Sequence, residues 1–151
     1  MTFWRYLPLV VLGLVAGCGS PEALEVKPFH IREVSLGNEG EPLIDAEERR
    51  RMHGAVGVRE QEQRLGHYYS IQWRDDSVGQ PVRVKFEYQQ ASTASKVLVK
   101  VQDFDGESRE GKAEFSIIGD DYLKGGRVLS WKCTLLRGGQ EVASRHSYLW
   151  E

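Results

Sequence analysis

The densest set of chemically capable side chains in this sequence is Asp103-Phe104-Asp105-Gly106-Glu107. Carboxylates on alternate residues around a glycine can wrap a hard cation such as calcium. The EF-hand pattern also needs a third ligand before the glycine and a glutamate further on. Neither is present, so an acidic turn is the simpler reading, with Asp103, Asp105 and Glu107 as the calcium-loop candidates. Asp75-Asp76 and Asp120-Asp121 are further loop carboxylates. A tuned pair of such acids can cleave a glycosidic bond, which makes a small hydrolase the alternative to a non-catalytic role. The histidines His30, His53, His67 and His146 are too scattered to form a local zinc motif, and His146 reads as a packing residue. Cys133 lies in an apolar run, whereas a nucleophilic thiol needs an accessible, electropositive setting. Ser70, Ser116, Ser130, Ser144 and Ser147 lack a nucleophile elbow. Gly125-Gly126 and Gly138-Gly139 separate extended runs and open no helix, so no phosphate cradle is expected. No catalytic constellation emerges, and no cofactor is implied.

The remaining reactive residue, Cys18, carries the clearest message. Before it come a polar start with Arg5, an apolar stretch from Leu7 to Ala16, and small residues at the exit. Those are the three zones of an export signal, and about ten apolar residues are too few to span a hydrocarbon core. Val15-Ala16-Gly17-Cys18 resembles the lipobox of bacterial lipoproteins, in which a branched apolar residue and two small ones precede the cysteine. That resemblance implies a diacylglyceryl group on the Cys18 sulfur, cleavage after Gly17, and acylation, commonly with palmitate, of the new amine. Several acyl chains at about 0.8 kcal/mol per buried methylene would make a lasting anchor. Gly19, where an aspartate would favour inner-membrane retention, leans the expected address to the outer membrane. The expected organisation is a signal peptide at 1–17, a lipidated tether at 18–23 and one domain at 24–151.

Composition narrows the partners. The 151-residue chain has a formal charge of −2, and loss of Arg5 with the signal makes it slightly more acidic. Such a balance gives no electrostatic reason to bind nucleic acid. With Cys18 lipidated, Cys133 has no disulfide partner, so the fold must hold without one. The sixteen glycines and five prolines fall between short apolar runs, as turns in a β domain require.

The elements that would position these residues follow from periodicity. Leu24 to Leu36 reads as a first strand, kinked or bulged near Pro28 and placed at a sheet edge because proline cannot donate to the ladder. Asp45 and Glu48 suggest a capped helix from Ala46 to His53, closed by Gly54, with a further turn or two from Val58 to Leu65 in which Glu60 pairs with Arg64. The insertion therefore spans about 45–65, and Arg49-Arg50-Arg51 read as a solvated helix end. From Gly66 on, the period is two. Tyr69, Ile71 and Trp73 share one face; Val82, Val84, Phe86 and Tyr88 another; then Val97, Val99 and Val101; then Ala113, Phe115 and Ile117. Gly138-Gly139 suits a two-residue primed turn. That turn pairs Leu135 with Val142, Cys133 with Ser144, Trp131 with His146 and Leu129 with Tyr148.

About seven short strands predict a mainly β fold, an antiparallel β-sandwich with a helical insertion between the first two strands. From Gly66 to Trp150 the run of strands is similar to immunoglobulin-like and fibronectin type III domains, which implies core roles for Trp73 and Trp131 and a corner role for Tyr122. The functional expectation is a membrane-anchored envelope lipoprotein acting as a non-enzymatic binding or assembly module, with an envelope protein or glycan as partner. Open edge strands and aromatic, polar loops motivate it.

Overall fold

Strands that are apolar on one side only hide that side by stacking sheet on sheet, and seven strands among the described residues do so. The computed structural model describes residues 22–33, 42–93 and 95–150. Gly17, Cys18 and the whole proposed signal lie outside the described residues, as does the 34–36 end of the expected first strand. In chain order the elements are β1 (Leu24–Ile31), α1 (Pro42–Met52), α2 (Val58–Glu62), β2 (Gly66–Arg74), β3 (Val82–Gln90), β4 (Leu98–Phe104), β5 (Glu110–Ile118), α3 (Asp120–Gly125), β6 (Val128–Arg137) and β7 (Gln140–His146). They form a β-sandwich of two antiparallel sheets, ordered β1-β2-β5 and β4-β3-β6-β7.

The core is aromatic at its centre. Phe86 of β3 is fully buried and meets Tyr69, Phe115 and Trp131 at ring-centroid distances of 4.4, 5.5 and 6.0 Å. Ile71, Val84, Ala113, Ile117, Cys133 and Leu135 fill the space around it with no exposure. Trp73 is buried against Phe104 at 5.1 Å, near the end of the sandwich where β1 begins. These inward residues are the ones that the period-two pattern assigns to the faces of β2, β3 and β5.

Three strand expectations need correction. The expected valine face points outward: Val97, just before β4, and Val99 and Val101 within it are exposed, while Leu98, Lys100, Gln102 and Phe104 turn inward. The β6–β7 register follows the Gly138-Gly139 turn for only two pairs, Arg137 with Gln140 and Leu136 with Glu141. The turn itself is as expected, with φ of 55° and 84° at its two glycines. An extra residue at Val142 then shifts the ladder, so Leu135 opposes Ala143, Cys133 opposes Arg145 and Lys132 opposes His146. A second irregularity, between Gln89 and Gln90, leaves Leu129 unpaired and exposed. Finally, β1 keeps one unbroken register with β2 through Pro28, with no bulge there; as an edge strand it has a side on which a missing N–H costs nothing.

The insertion differs as well. α1 starts at Pro42, where the fixed φ suits a first turn, so Asp45 lies inside the helix and does not cap it. Arg50 and Arg51 both pair with Glu47. Arg51 is not a solvated end: its guanidinium lies 4.3 Å above the Tyr68 ring on the outer face of β2. Glu60 accepts from the amides of Val56 and Gly57, capping α2, and the charge of Arg64 acts on it as a lesser influence. The Arg64 carbonyl accepts from the Tyr68 hydroxyl at 2.6 Å, which ties the end of the insertion to β2.

Side chains close the seams between the sheets. Lys100 of β4 donates to the Ser116 carbonyl on β5 at 2.8 Å, and Gln102 accepts from the Glu114 amide. Across the other seam, Arg145 of β7 donates to the Leu24 carbonyl and pairs with Glu22. Three backbone groups at the edges of the three-stranded sheet are thereby satisfied without a further strand.

Candidate functional site

Two histidines that the sequence separates by 37 positions become direct neighbours because β1 and β2 run antiparallel. Leu24 opposes Trp73 and Val26 opposes Ile71, so the same register brings His30 opposite His67. Their imidazoles stack at 3.7 Å between centroids, 12° from parallel. Gly66 sets His67 in place. Its φ is +136°, and a Cβ there would stand 2.2 Å from the Ile117 carbonyl, so only glycine lets β2 begin this close to β5.

The third member, Tyr122, arrives on α3. Gln90, the last inward residue of β3, donates its amide to the carbonyls of Asp121 and Gly126 at 2.9 and 3.0 Å, which fixes the helix against the sheet end. Tyr122 is not a corner tyrosine bonded to its own backbone. Its hydroxyl lies 2.9 Å from Nε2 of His30, and its ring stands edge-on to both imidazoles. Nε of Arg32 donates to Nδ1 of His30 at 3.4 Å, so Nδ1 is the acceptor and the His30 proton sits on Nε2, pointing to the tyrosine oxygen.

The histidine pair opens into a cleft of about 320 Å³ with Tyr69, Val128, Leu129, Trp131 and Ser147 among its walls. Ser147 holds the Trp131 side of this cleft through paired bonds, its Oγ accepting from the Trp131 amide and its amide donating to the Trp131 carbonyl, both at 2.9 Å. His67 is 9% exposed, and its Nε2 has no hydrogen-bond partner among the described residues. Burial is the main reason its pKa falls to about 4; the neighbouring His30 and the charges of Arg127 and Arg32 push the same way. His30 is also lowered, by burial and then by Arg32 and Arg127. Both rings are therefore neutral near pH 7, in a setting made positive by arginine.

The candidates read from sequence lie elsewhere. Asp103, at the end of β4, takes a bidentate bond from Arg83 at 2.6 and 2.9 Å, which holds its carboxyl below the usual range. Asp105 accepts from Ser108 Oγ and from the amides of Ser108 and Glu107, all at 3.0 Å. Asp120 meets Lys124 and Gln63. Burial pushes the Asp75 carboxyl up, but bonds from Ser77 and Arg137 outweigh it and hold it low. His146 is exposed, with Nδ1 3.0 Å from the Ser147 carbonyl. Burial pushes the Cys133 thiol up to about 12. Among the described residues, no group of three or more His, Cys, Asp or Glu side chains is placed to hold a metal ion.

Sequence spacing hid the His30–His67–Tyr122 cluster because none of its members is local to another. The available signal was register: aligning Val26 with Ile71 by their apolar alternation carries His30 onto His67. No known family model, characterised protein or solved structure matches the chain.

Proposed function

We propose that this protein is a lipid-anchored envelope module that binds a partner or ligand at the end of its sandwich farthest from the membrane. One observation carries the reading: β1 begins at Leu24, six positions after Cys18, and runs to the histidine cleft. A tether of that length reaches at most about 20 Å. Leu24 to His30 along β1 adds about 20 Å more. The Trp73–Phe104 end, with the Gly138-Gly139 turn, would then face the bilayer, and the His30, His67 and Tyr122 side chains would face outward into the aqueous compartment.

The division of strands into β1-β2-β5 and β4-β3-β6-β7 supports kinship with fibronectin type III-like sandwiches, which present loops and strand ends to partners. A binding role is favoured over hydrolysis because Asp75, Asp103, Asp105 and Asp120 are each held by a structural partner. A general acid or base needs a carboxyl left available to the substrate.

Labelling cells with tritiated palmitate tests the anchor. Wild-type chain should carry label and sediment with outer membranes, and Cys18→Ser should carry none. An unlabelled wild-type chain recovered in the soluble fraction would defeat the proposal.

A further inference from the structure

The insertion between β1 and β2 gathers three arginines around one hollow. A cleft of about 330 Å³ is lined by Arg50 and Arg51 of α1, Gln63 and Arg64 just after α2, Tyr68 of β2 and Ile118 of β5. That volume is near the lower bound of about 300 Å³ for small-molecule sites. The arginines use their donors unevenly. Arg50 donates from Nε and Nη2 to Glu47, a complete bidentate pair. Arg51 donates only from Nε to Glu47, with its guanidinium above the Tyr68 ring. Arg64 donates from Nη1 to the Arg51 carbonyl at 3.1 Å. Among the described residues, nothing accepts from Nη1 and Nη2 of Arg51 or from Nε and Nη2 of Arg64. The Arg51 side chain is only 12% exposed, yet neither of its terminal nitrogens is sealed from solvent. The neighbouring carboxylates are already engaged: Glu47 by Arg50 and Arg51, Glu114 by Lys112, Asp120 by Lys124 and Gln63, and Glu60 by the Val56 and Gly57 amides.

A cation would be repelled here, and a carboxylate has two oxygens, enough for one guanidinium fork. A phosphoryl group offers three oxygens and a charge of about −1.5 to −2 at pH 7, so it can accept from two forks at once. We infer that the Arg51–Arg64 cleft binds a small soluble phosphomonoester, whose phosphoryl oxygens accept from Nη1 and Nη2 of Arg51 and from Nε and Nη2 of Arg64. Ile118 and Tyr68 supply apolar contact for its organic body. An arginine recessed in a cleft suits a free molecule rather than a headgroup held in the plane of a bilayer. Ile118 opposes Gly66, so the cleft lies at the end of the sandwich where β2 starts, the same end as the histidine pair. This deepens the binding role proposed above by naming a ligand class, and it rests on that reading for its orientation away from the membrane. The two fail separately: loss of palmitate label from Cys18 would leave ligand titrations intact, and absent titrations would leave the label in place.

The test is calorimetric titration of the purified full-length chain, in micelles of uncharged detergent, with phenyl phosphate, inorganic phosphate, phenylacetate and micelles doped with phosphatidic acid. Phenyl phosphate should bind saturably, and inorganic phosphate should compete with it. Phenylacetate should bind at least about tenfold more weakly, and phosphatidic acid should not displace phenyl phosphate. Arg51→Gln should abolish binding. Because that change also removes the contact with the Tyr68 ring, Arg64→Gln at an exposed position provides the second variant: it should weaken phenyl phosphate about tenfold with the unfolding curve unchanged. Arg64→Lys keeps the charge but loses the fork, so it should not restore affinity. Arg49→Gln, exposed on α1 but outside the cleft wall, should bind as wild type does. Failure of phenyl phosphate to saturate, equal affinity for phenylacetate, displacement by phosphatidic acid, full affinity in Arg64→Gln or Arg64→Lys, or an equal loss in Arg49→Gln would overturn the inference.

Discussion

Arg137 and His67 are both more than nine-tenths buried, at opposite ends of the same sandwich, and their surroundings differ completely. Arg137 closes β6 and turns its guanidinium into the space beneath two loops. There it pairs with Asp75 and donates to the carbonyls of Gln80, Gly106 and Ser108 at 2.9, 3.2 and 2.8 Å. His67, at the start of β2, leaves Nε2 without a partner and shares its ring face with a second imidazole. A buried charge whose three nitrogens each find an acceptor is a fastening, joining the β2–β3 and β4–β5 loops to the end of β6. A buried neutral ring with an unused nitrogen is an unfinished network.

The sharpest way to break the comparison is to remove the fastening. Arg137→Met keeps most of the aliphatic stem but takes the countercharge from the Asp75 carboxylate and a donor from three carbonyls, of which Gly106 keeps the Gly79 amide. Breaking one side of a buried pair costs about 3–5 kcal/mol, so urea unfolding at neutral pH should register a loss of that size. A loss no larger than that of an ordinary surface substitution would mean that the two ends are not different in kind.

Acid should attack the other end first. His67 has a pKa of about 4 in the folded protein against 6.5 when unperturbed, so the unfolded chain binds the proton more readily. Its contribution is fully present above pH 6.5, declines as pH falls through that value, and is exhausted near pH 4. The difference amounts to about 3 kcal/mol across that window, and His30, also lowered, acts in the same sense. The groups facing these rings are Arg32 after β1, Tyr69 on β2 and Tyr122 on α3, and the charge of Arg127, before β6, acts on both. Carboxylates such as Glu47, held at about 2 by Arg50 and Arg51 against burial, lose their contribution at lower pH. Unfolding free energies at several pH values should therefore slope below pH 6.5 in wild type, and His67→Phe should flatten that slope. Parallel profiles would remove the buried neutral ring from the account.

A smaller effect belongs to the third member of the cluster. Tyr122→Phe removes the acceptor of the His30 Nε2 proton but preserves the ring packed edge-on against both imidazoles. One such bond is worth about 1 kcal/mol. Thermal unfolding should reflect that loss, and the His30 ring signals should move more than those of His146, which lies outside the cluster. An unchanged His30 spectrum would show that the tyrosine does not hold the pair.

How much of this could be read from sequence depended on whether the signal was local. The inward faces of β2, β3 and β5 and the two-residue turn at Gly138-Gly139 were legible, because alternation and positive φ are properties of neighbouring residues. The Val142 bulge was not, since nothing in the residues beside the turn announces an extra one. The histidine cluster was hidden too, because it exists only once β1 is registered on β2. β4 misled more directly, since valines at alternate positions are the usual mark of a buried face. Here the inward positions are held instead by Leu98, Lys100, Gln102 and Phe104, and the two polar ones reach across to the β5 edge. The need to satisfy that edge outweighed the gain from burying three small side chains. Val99 separates the two accounts. A buried valine replaced by threonine puts a hydroxyl into hydrocarbon and costs about 1–3 kcal/mol, as Val84→Thr should in β3. Val99, 54% exposed, should lose less than about 0.5 kcal/mol on the same change. Equal losses at the two positions, measured by urea unfolding, would return the β4 valines to the core.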